Sequence, residues 1–249
     1  MLEAKTLRKQ FGSLVATNDV SVEFGRHDGE IVFIVGPNGA GKTTLVNLLT
    51  GLLSPDSGSV VMDGEDITGM APEDRVHAGL VRSFQVVQVF DEMTVRENVR
   101  TAVLSKEEKL MSMFSLRDEH AAVEGKVDDL LTKFGLDEHA DLVAAELPHG
   151  TRKLLDVCMS FGLEPDYLLL DEPTAGVSTS EKEYVIETIA SVSKEEGVTT
   201  VTIEHDMDIV KGYADRVVAL HQGAIHGQGD PSILETDDEL RRLLLGVEK

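Results

Sequence analysis

The sequence predicts an α/β protein built on a largely parallel sheet with helices on both faces. A continuous apolar run from Ile31 to Val35 reads as a strand buried on both sides. A glycine-rich segment follows it at once and leads into a helical stretch from Thr43 to about Leu52. From Tyr167 onward strands and helices alternate, which implies parallel strands joined by helical crossovers.

The remaining elements follow in order along the chain. Residues 1–35 read as short strands, with Val20, Val22 and Phe24 alternating with polar neighbours as on a half-buried strand. Ser54 to Gly58 is a turn and Ser59 to Met62 a strand. Residues 88–160 differ in character and read as a mostly helical insert. There Thr94 and Glu97 form a capping-box pattern, and Val123, Val127, Leu130, Leu131 and Phe134 share one helical face that Gly135 ends. Met111, Met113 and Phe114 form an apolar patch that is either core or a seat for a partner's helix. Tyr167 to Leu170 is a buried strand, Ser180 to Glu195 a helix, and Val198 to Ile203 and Arg216 to Leu220 two further strands. The acidic clusters at 118–119, 137–138 and 237–239 are solvated faces or helix starts. No solenoid repeat or low-complexity linker interrupts the pattern.

At 249 residues the chain fits one large domain, or a domain with a subdomain. Its net charge of -22 repels phosphate backbones and anionic lipid alike, which disfavours nucleic-acid binding and an unassisted grip on a membrane. The single cysteine, Cys158, excludes an internal disulfide and lies among apolar neighbours, as a small core residue does. The first residues lack the apolar run of a signal peptide, and no stretch of about 18 apolar residues follows. Work at a membrane therefore requires a partner to hold the chain there.

The chemistry is concentrated at three places. Gly36-Pro37-Asn38-Gly39-Ala40-Gly41-Lys42-Thr43 matches the pattern G-x-x-x-x-G-K-S/T. Glycines let successive backbone N–H groups point inward at phosphate oxygens, and the following helix adds its positive end. Lys42 can reach the β- and γ-phosphates, and the Thr43 hydroxyl can ligate Mg2+. The apolar strand from Tyr167 ends in two carboxylates, Asp171 and Glu172, where ligands of a parallel sheet collect. Asp171 is placed to hold Mg2+ and Glu172 to polarise an attacking water. His205 follows the strand Val201 to Glu204 and can hydrogen-bond a γ-phosphate and sense its loss, or be merely structural. His149, His221 and His226 show no metal-ligand spacing.

These motifs in this order resemble the nucleotide-binding subunits of ABC transporters over essentially the whole chain. Gly36 to Thr44 resembles the family's Walker A motif, Asp171-Glu172-Pro173-Thr174 its Walker B motif with the catalytic glutamate, and Glu204-His205-Asp206 its switch histidine. Gln85 resembles the Q-loop glutamine, a magnesium contact, and Phe11 lies where the family places an aromatic against adenine. The resemblance implies a P-loop NTPase (RecA-like) core with a mixed, largely parallel sheet, an N-terminal antiparallel β subdomain and an inserted helical subdomain. It makes residues 1–249 one ABC ATPase domain, with 1–87 and 161–249 as nucleotide-binding core and 88–160 as helical subdomain. It implies ATP and Mg2+ as cofactors, and catalytic roles for Lys42, Glu172 and His205.

The chain departs from the family pattern in two places. The signature motif, usually L-S-G-G-Q, is Leu147-Pro148-His149-Gly150-Thr151, so the usual serine hydroxyl is missing at Pro148. The usual D-loop aspartate is Ser178. Both favour pairing with a second, different ABC ATPase, with a homodimer as the alternative. Phe84-Gln85, the segment Phe90 to Asn98, the His149-Gly150 form of the signature, Glu204 to Met207 and the ending Leu244-Leu245-Gly246 are similar to ATPases of branched-chain amino acid and urea or amide importers. That similarity implies integral membrane permease subunits, an extracytoplasmic solute-binding protein, no nucleic acid, and a place on the cytoplasmic face of the membrane. The alternative is a soluble ABC-type ATPase that drives assembly, such as an iron–sulfur scaffold machine, and a third reading is a regulatory module that hydrolyses little.

The acidic surplus has two readings, adaptation to a salty cytoplasm or an ordinary acidic protein. A denaturation midpoint that rises steeply toward molar salt selects the first, and one indifferent to salt selects the second.

Overall fold

The computed structural model describes residues 1–83, 87–107 and 116–245. Strands β1 (Leu2–Phe11) and β2 (Leu14–Phe24) form an antiparallel hairpin, far longer than the short strands expected there. Irregularities in their register between Ala4 and Gln10 break the two-residue alternation, so one long ribbon reads in sequence as short pieces. Next come β3 (Ile31–Val35), helix α1 (Lys42–Leu49), β4 (Ser57–Met62) and β5 (Glu65–Asp66). The short helix α2 (Pro72–His77) leads into β6 (Leu80–Arg82).

Helices then dominate, with α3 (Val95–Glu107), α4 (Leu116–Lys133) and α5 (His149–Phe161). The expected capping box starts α3. The Thr94 N–H donates to Glu97 Oε2 at 2.8 Å, and the Glu97 N–H donates to Thr94 Oγ1 at 3.2 Å. Gly135, at φ 63°, ends α4 in the left-handed conformation that glycine adopts without a Cβ clash. Val123, Val127 and Leu131 on α4 and Phe134 just past its end are buried against α3 and α5, with Phe134 edge-on to Phe161 at 5.3 Å.

The chain returns to alternation with β7 (Tyr167–Asp171), α6 (Thr179–Glu196), β8 (Thr199–Ile203), α7 (Met207–Tyr213), β9 (Arg216–His221) and β10 (Ala224–Gly229). Two short helices follow, α8 (Ile233–Thr236) and α9 (Asp238–Leu245).

Among the described residues the strands form two sheets. One is antiparallel, in the order β2-β1-β4-β5. The other has the order β10-β9-β3-β8-β7-β6, parallel throughout except for the edge strand β10. β3 sits in the middle, which explains its unbroken apolar run. Val32 and Ile34 face α1 and the antiparallel sheet, while Ile31, Phe33 and Val35 face α6, α7 and β9's other side. The carboxyl ends of β3, β7 and β8 therefore open at one edge, each into a loop that carries one of the chemical motifs.

A buried ion pair fastens the far edge of this sheet. Arg216 Nε donates to Glu30 Oε1 at 2.8 Å and its Nη2 to the Glu23 carbonyl at 2.6 Å. Glu30 Oε2 also accepts from the N–H groups of Gly25 (2.8 Å) and Arg26 (3.1 Å). Burial alone would raise the Glu30 pKa, but Arg216 and the two N–H groups outweigh it and hold the carboxyl below its ordinary value. Removing one partner strands a buried charge, so Arg216→Ala should cost about 3–5 kcal/mol in urea unfolding. Glu30→Gln should be destabilised at neutral pH. Because the folded carboxyl titrates below its unfolded value of 4.5, the wild-type advantage should persist above that pH and shrink as pH falls below it.

Candidate functional site

The phosphate loop is shaped by close backbone packing on two sides. Gly41 caps α1 at φ 102°, and a Cβ there would lie 2.3 Å from the Ala16 carbonyl on β2. At Gly36, φ 151°, a Cβ would lie 2.2 Å from the Leu220 carbonyl on β9. Only glycine allows these approaches. The turn between β9 and β10 completes the cradle. The Gly223 N–H donates to the Ala40 carbonyl at 3.0 Å, and the Asn18 N–H on β2 donates to the Gly223 carbonyl at 2.7 Å.

Lys42 Nζ bends back into this loop and donates to the carbonyls of Gly36 (2.7 Å) and Pro37 (3.1 Å). Burial lowers the Lys42 pKa, and the nearby charges of Glu172 and Asp171 oppose that shift. Lys153 on α5, also buried, feels the same balance: burial lowers its pKa while Asp156, Glu172 and Asp171 resist. Two buried ammonium groups thus face the acids at the end of β7.

Asp171 ends β7, and its Oδ2 accepts from Arg82 Nη2 at 2.9 Å, with both side chains more than nine-tenths buried. Arg82 Nη1 also donates to Asn47 Oδ1 on α1, so one guanidinium spans the ends of α1, β6 and β7. Glu172 comes next. Its N–H continues the pairing with β8 through the Ile203 carbonyl at 3.1 Å, and its φ of 51° then turns the chain out of the sheet. Glu172 Oε1 lies 2.9 Å from His205 Nε2. His205 follows β8, and its backbone N–H donates to Glu204 Oε2 at 2.8 Å, while Glu204 Oε1 accepts from the Thr174 hydroxyl.

The loop, Lys42, Glu172 and His205 meet in a cleft of about 270 Å³. Phe11, Asn38, Gly39, Ala40, Gly41, Lys42, Thr43, Thr44, Glu172 and His205 all line it. Gly36 and Pro37 lie beneath, offering their carbonyls to Lys42. Phe11 is half exposed at the rim with the Lys9 ammonium 5.8 Å from its ring centroid. Leu14 and Ala16 line the same wall and have no sequence signature of their own. Leu147, Pro148, His149, Gly150 and Thr151 are not among the lining residues. They surround the start of α5, with Pro148 as its N-cap residue. His149 Nε2 lies 3.4 Å from the Ala175 carbonyl, which places this turn beside the loop that leads to Ser178, the N-cap of α6.

Gln85 and the neighbouring Phe84 lie outside the described residues, as do Met111, Met113, Phe114 and Gly246. Gln88, just beyond Gln85, donates its N–H to Asp156 Oδ1 on α5 at 3.0 Å. Sequence reasoning passed over Arg82, Asn47, Lys153 and Asp156, and quoted Thr174 and Glu204 within motifs without giving either a role. Arg82 bonds Asn47 and Asp171 across 35 and 89 residues, and Thr174 bonds Glu204 across 30, so no local pattern pairs them.

The profile of the ABC transporter family matches residues 18–175, a span that includes the phosphate loop, the β7 acids and the start of α5. The chain belongs to this family. It is 34% identical to the high-affinity branched-chain amino acid transport ATP-binding protein LivG of Escherichia coli, over 99% of this chain and 98% of that one. It is 34% identical to the corresponding BraF protein of Pseudomonas aeruginosa, over 99% and 98%. A probable LivG of Archaeoglobus fulgidus is 32% identical over 100% and 96%. Among solved structures, a nucleotide-free ATP-binding cassette of an ABC transporter superposes with a TM-score of 0.83 at 29% identity, covering 100% of this chain and 99% of that one. The ADP conformation of such a cassette gives 0.84 at 29% identity, with 99% of each chain covered. The ABC family resemblance and the α/β fold read from the sequence are therefore correct, and the chain is a nucleotide-binding ABC ATPase.

Among the described residues of this ABC ATPase no helix is long and apolar enough to cross a membrane. Its glycine cradle has a direct consequence. Gly41→Ala should abolish binding of a fluorescent ATP analogue, because the methyl must displace either Ala16 or the loop. Unfolding should also shift by about 1–3 kcal/mol from the strained backbone.

Proposed function

We propose that this ABC ATPase is the motor of an importer for a small solute, with branched-chain or other amino acids as the cargo. The observation that carries the reading is the convergence of Lys42, Glu172 and His205 on one cleft lined by the phosphate loop. The cargo rests on the relatives, whose names specify branched-chain amino acid transport and which match the chain from end to end.

In this reading residues 1–87 and 161–249 form the nucleotide-binding core and 88–160 the helical subdomain that meets the permease. The loop from Gly36 to Thr44 wraps the phosphates with its N–H groups, and Phe11 packs against the adenine. Lys42 adds charge at the β- and γ-phosphates. Glu172 takes the proton of the attacking water, while His205 holds Glu172 in place and faces the γ-phosphate. The barrier falls chiefly because donors and charges are already positioned where negative charge develops.

The donors near the loop also suit Mg2+. Thr43 offers a hydroxyl and Asp171 a carboxylate, an all-oxygen set, and Gln85 adds an amide oxygen in the family pattern. No group of three or more His, Cys, Asp and Glu able to hold a metal occurs among the described residues, so the nucleotide's phosphates and water must supply the other ligands. Mg2+ held there by Thr43 and Asp171 would supply positive charge against the phosphates.

The turn at Leu147 to Thr151 serves the nucleotide of a second subunit. Pro148 brings no hydroxyl, but the N–H groups at the start of α5 and the helix dipole remain to grip phosphate. A heterodimer with a different ABC ATPase answers this asymmetry best. The assembly includes permease subunits and a solute-binding protein outside the membrane, with the ATPase on the cytoplasmic face. The exposed Phe90, Met93 and Leu142 offer an apolar surface for the permease.

Affinity purification from gently solubilised native membranes tests the assembly. A multi-spanning permease and a second ATPase should copurify. Recovery with a soluble scaffold alone would move the reading to an assembly ATPase. Glu172→Gln should keep ATP affinity and lower turnover by at least about 100-fold in phosphate-release assays. Lys42→Ala should weaken ATP binding itself, read by fluorescence titration.

A further inference from the structure

From the geometry at the end of β8 we infer that Glu204 is a positioning residue for ATP hydrolysis. Its carboxylate clamps the loop carrying Glu172 to the loop carrying His205. Glu204 is 4% exposed, beside a strand end where water-facing carboxylates are common. A buried carboxylate needs a donor at each oxygen. Both donors here come from the catalytic loops. Oε1 accepts from the hydroxyl of Thr174, itself 2% exposed and two residues beyond Glu172. Oε2 accepts from the backbone N–H of His205 at 2.8 Å.

The two loops also meet through the Glu172–His205 side-chain contact at 2.9 Å and the Glu172 N–H to the Ile203 carbonyl at 3.1 Å. The side-chain contact is more exposed and must loosen whenever either group turns to substrate. Glu204 is the buried side-chain tie that remains beside that backbone bond. It fixes the backbone of His205 relative to the segment 172–178, so that both side chains swing from fixed anchors. Because the Ala175 carbonyl in that segment lies 3.4 Å from His149 Nε2, and a Cβ at Gly150 would lie 3.4 Å from Val177 Cγ1, the clamp extends to the start of α5.

The clamp works through hydrogen-bond reach rather than charge. A glutamine can reproduce it, since its carbonyl accepts from the His205 N–H and its amide donates to the Thr174 oxygen. Alanine cannot, and aspartate is one methylene too short to reach both donors.

The inference rests on the reading of Glu172 and His205 as the hydrolytic pair, so Glu172→Gln runs in the same assay. The experiment is steady-state ATP hydrolysis by the full chain, with ATP affinity measured separately by fluorescence titration. Glu204→Ala should lower kcat about 30-fold with KM for ATP within about threefold, the size expected when reacting groups are misplaced. Glu204→Gln should restore most of the wild-type kcat. Thr174→Val, which removes one arm and keeps the volume, should lower kcat by about fivefold at unchanged KM. If Glu204→Ala fails to fold by circular dichroism, the Thr174→Val result decides. Wild-type kcat in Glu204→Ala, or in Thr174→Val when that variant decides, overturns the clamp. Equal damage from Gln and Ala at position 204 overturns it too, because charge would then be the requirement. Undiminished hydrolysis in Glu172→Gln would instead overturn the pair on which the inference rests.

Discussion

Everything at the nucleotide site depends on backbone packing directly against backbone. The phosphate loop is wedged between β2 and the end of β9, and at Gly36 and Gly41 no side chain separates the chains. Hydrogen bonds from Asn18 to Gly223 and from Gly223 to Ala40 lock the three segments together. The antiparallel sheet, which carries no catalytic group, is therefore part of the site's foundation. Its β2 strand forms one wall of the loop and its β1 strand ends at Phe11 on the rim.

A second layer of order comes from charge placed where water is scarce. Lys42 and Lys153 approach Asp171 and Glu172, and Arg82 bonds Asp171 directly. In a low-dielectric setting such groups hold one another in place far more firmly than surface pairs do. The same logic ties Glu30 to Arg216 at the opposite edge. The sheet is thus pinned by buried ion pairs at both ends of its strands.

Much of this was legible in the sequence for simple reasons. The run Ile31 to Val35 is apolar throughout because both of its faces are covered, and the capping box at Thr94 and Glu97 is local chemistry that no tertiary contact overrides. Lys42 was visible because it closes the glycine-rich loop that follows β3, and Glu172 and His205 because each follows the end of an apolar strand. What escaped was set by contacts distant in sequence. The β1–β2 hairpin looked fragmentary because its irregular register disguises the alternation. Arg82 carries no local pattern, and its Asp171 partner is 89 residues away; Glu204 sits in a recognised motif, but its bond to Thr174, 30 residues away, has no local sign. Leu14 and Ala16 belong to the cleft only because the hairpin folds over the loop.

The posture of Lys42 has one further consequence, which concerns timing and entropy. Its ammonium carries three N–H groups, and the carbonyls of Gly36 and Pro37 take two of them. The flexible four-carbon stem is already immobilised before any phosphate arrives. Ordering such a side chain costs about 1.5–2 kcal/mol, and here folding bears that cost rather than ligand association. On the reading proposed for this site, the third N–H would meet a phosphate oxygen without a rotamer search.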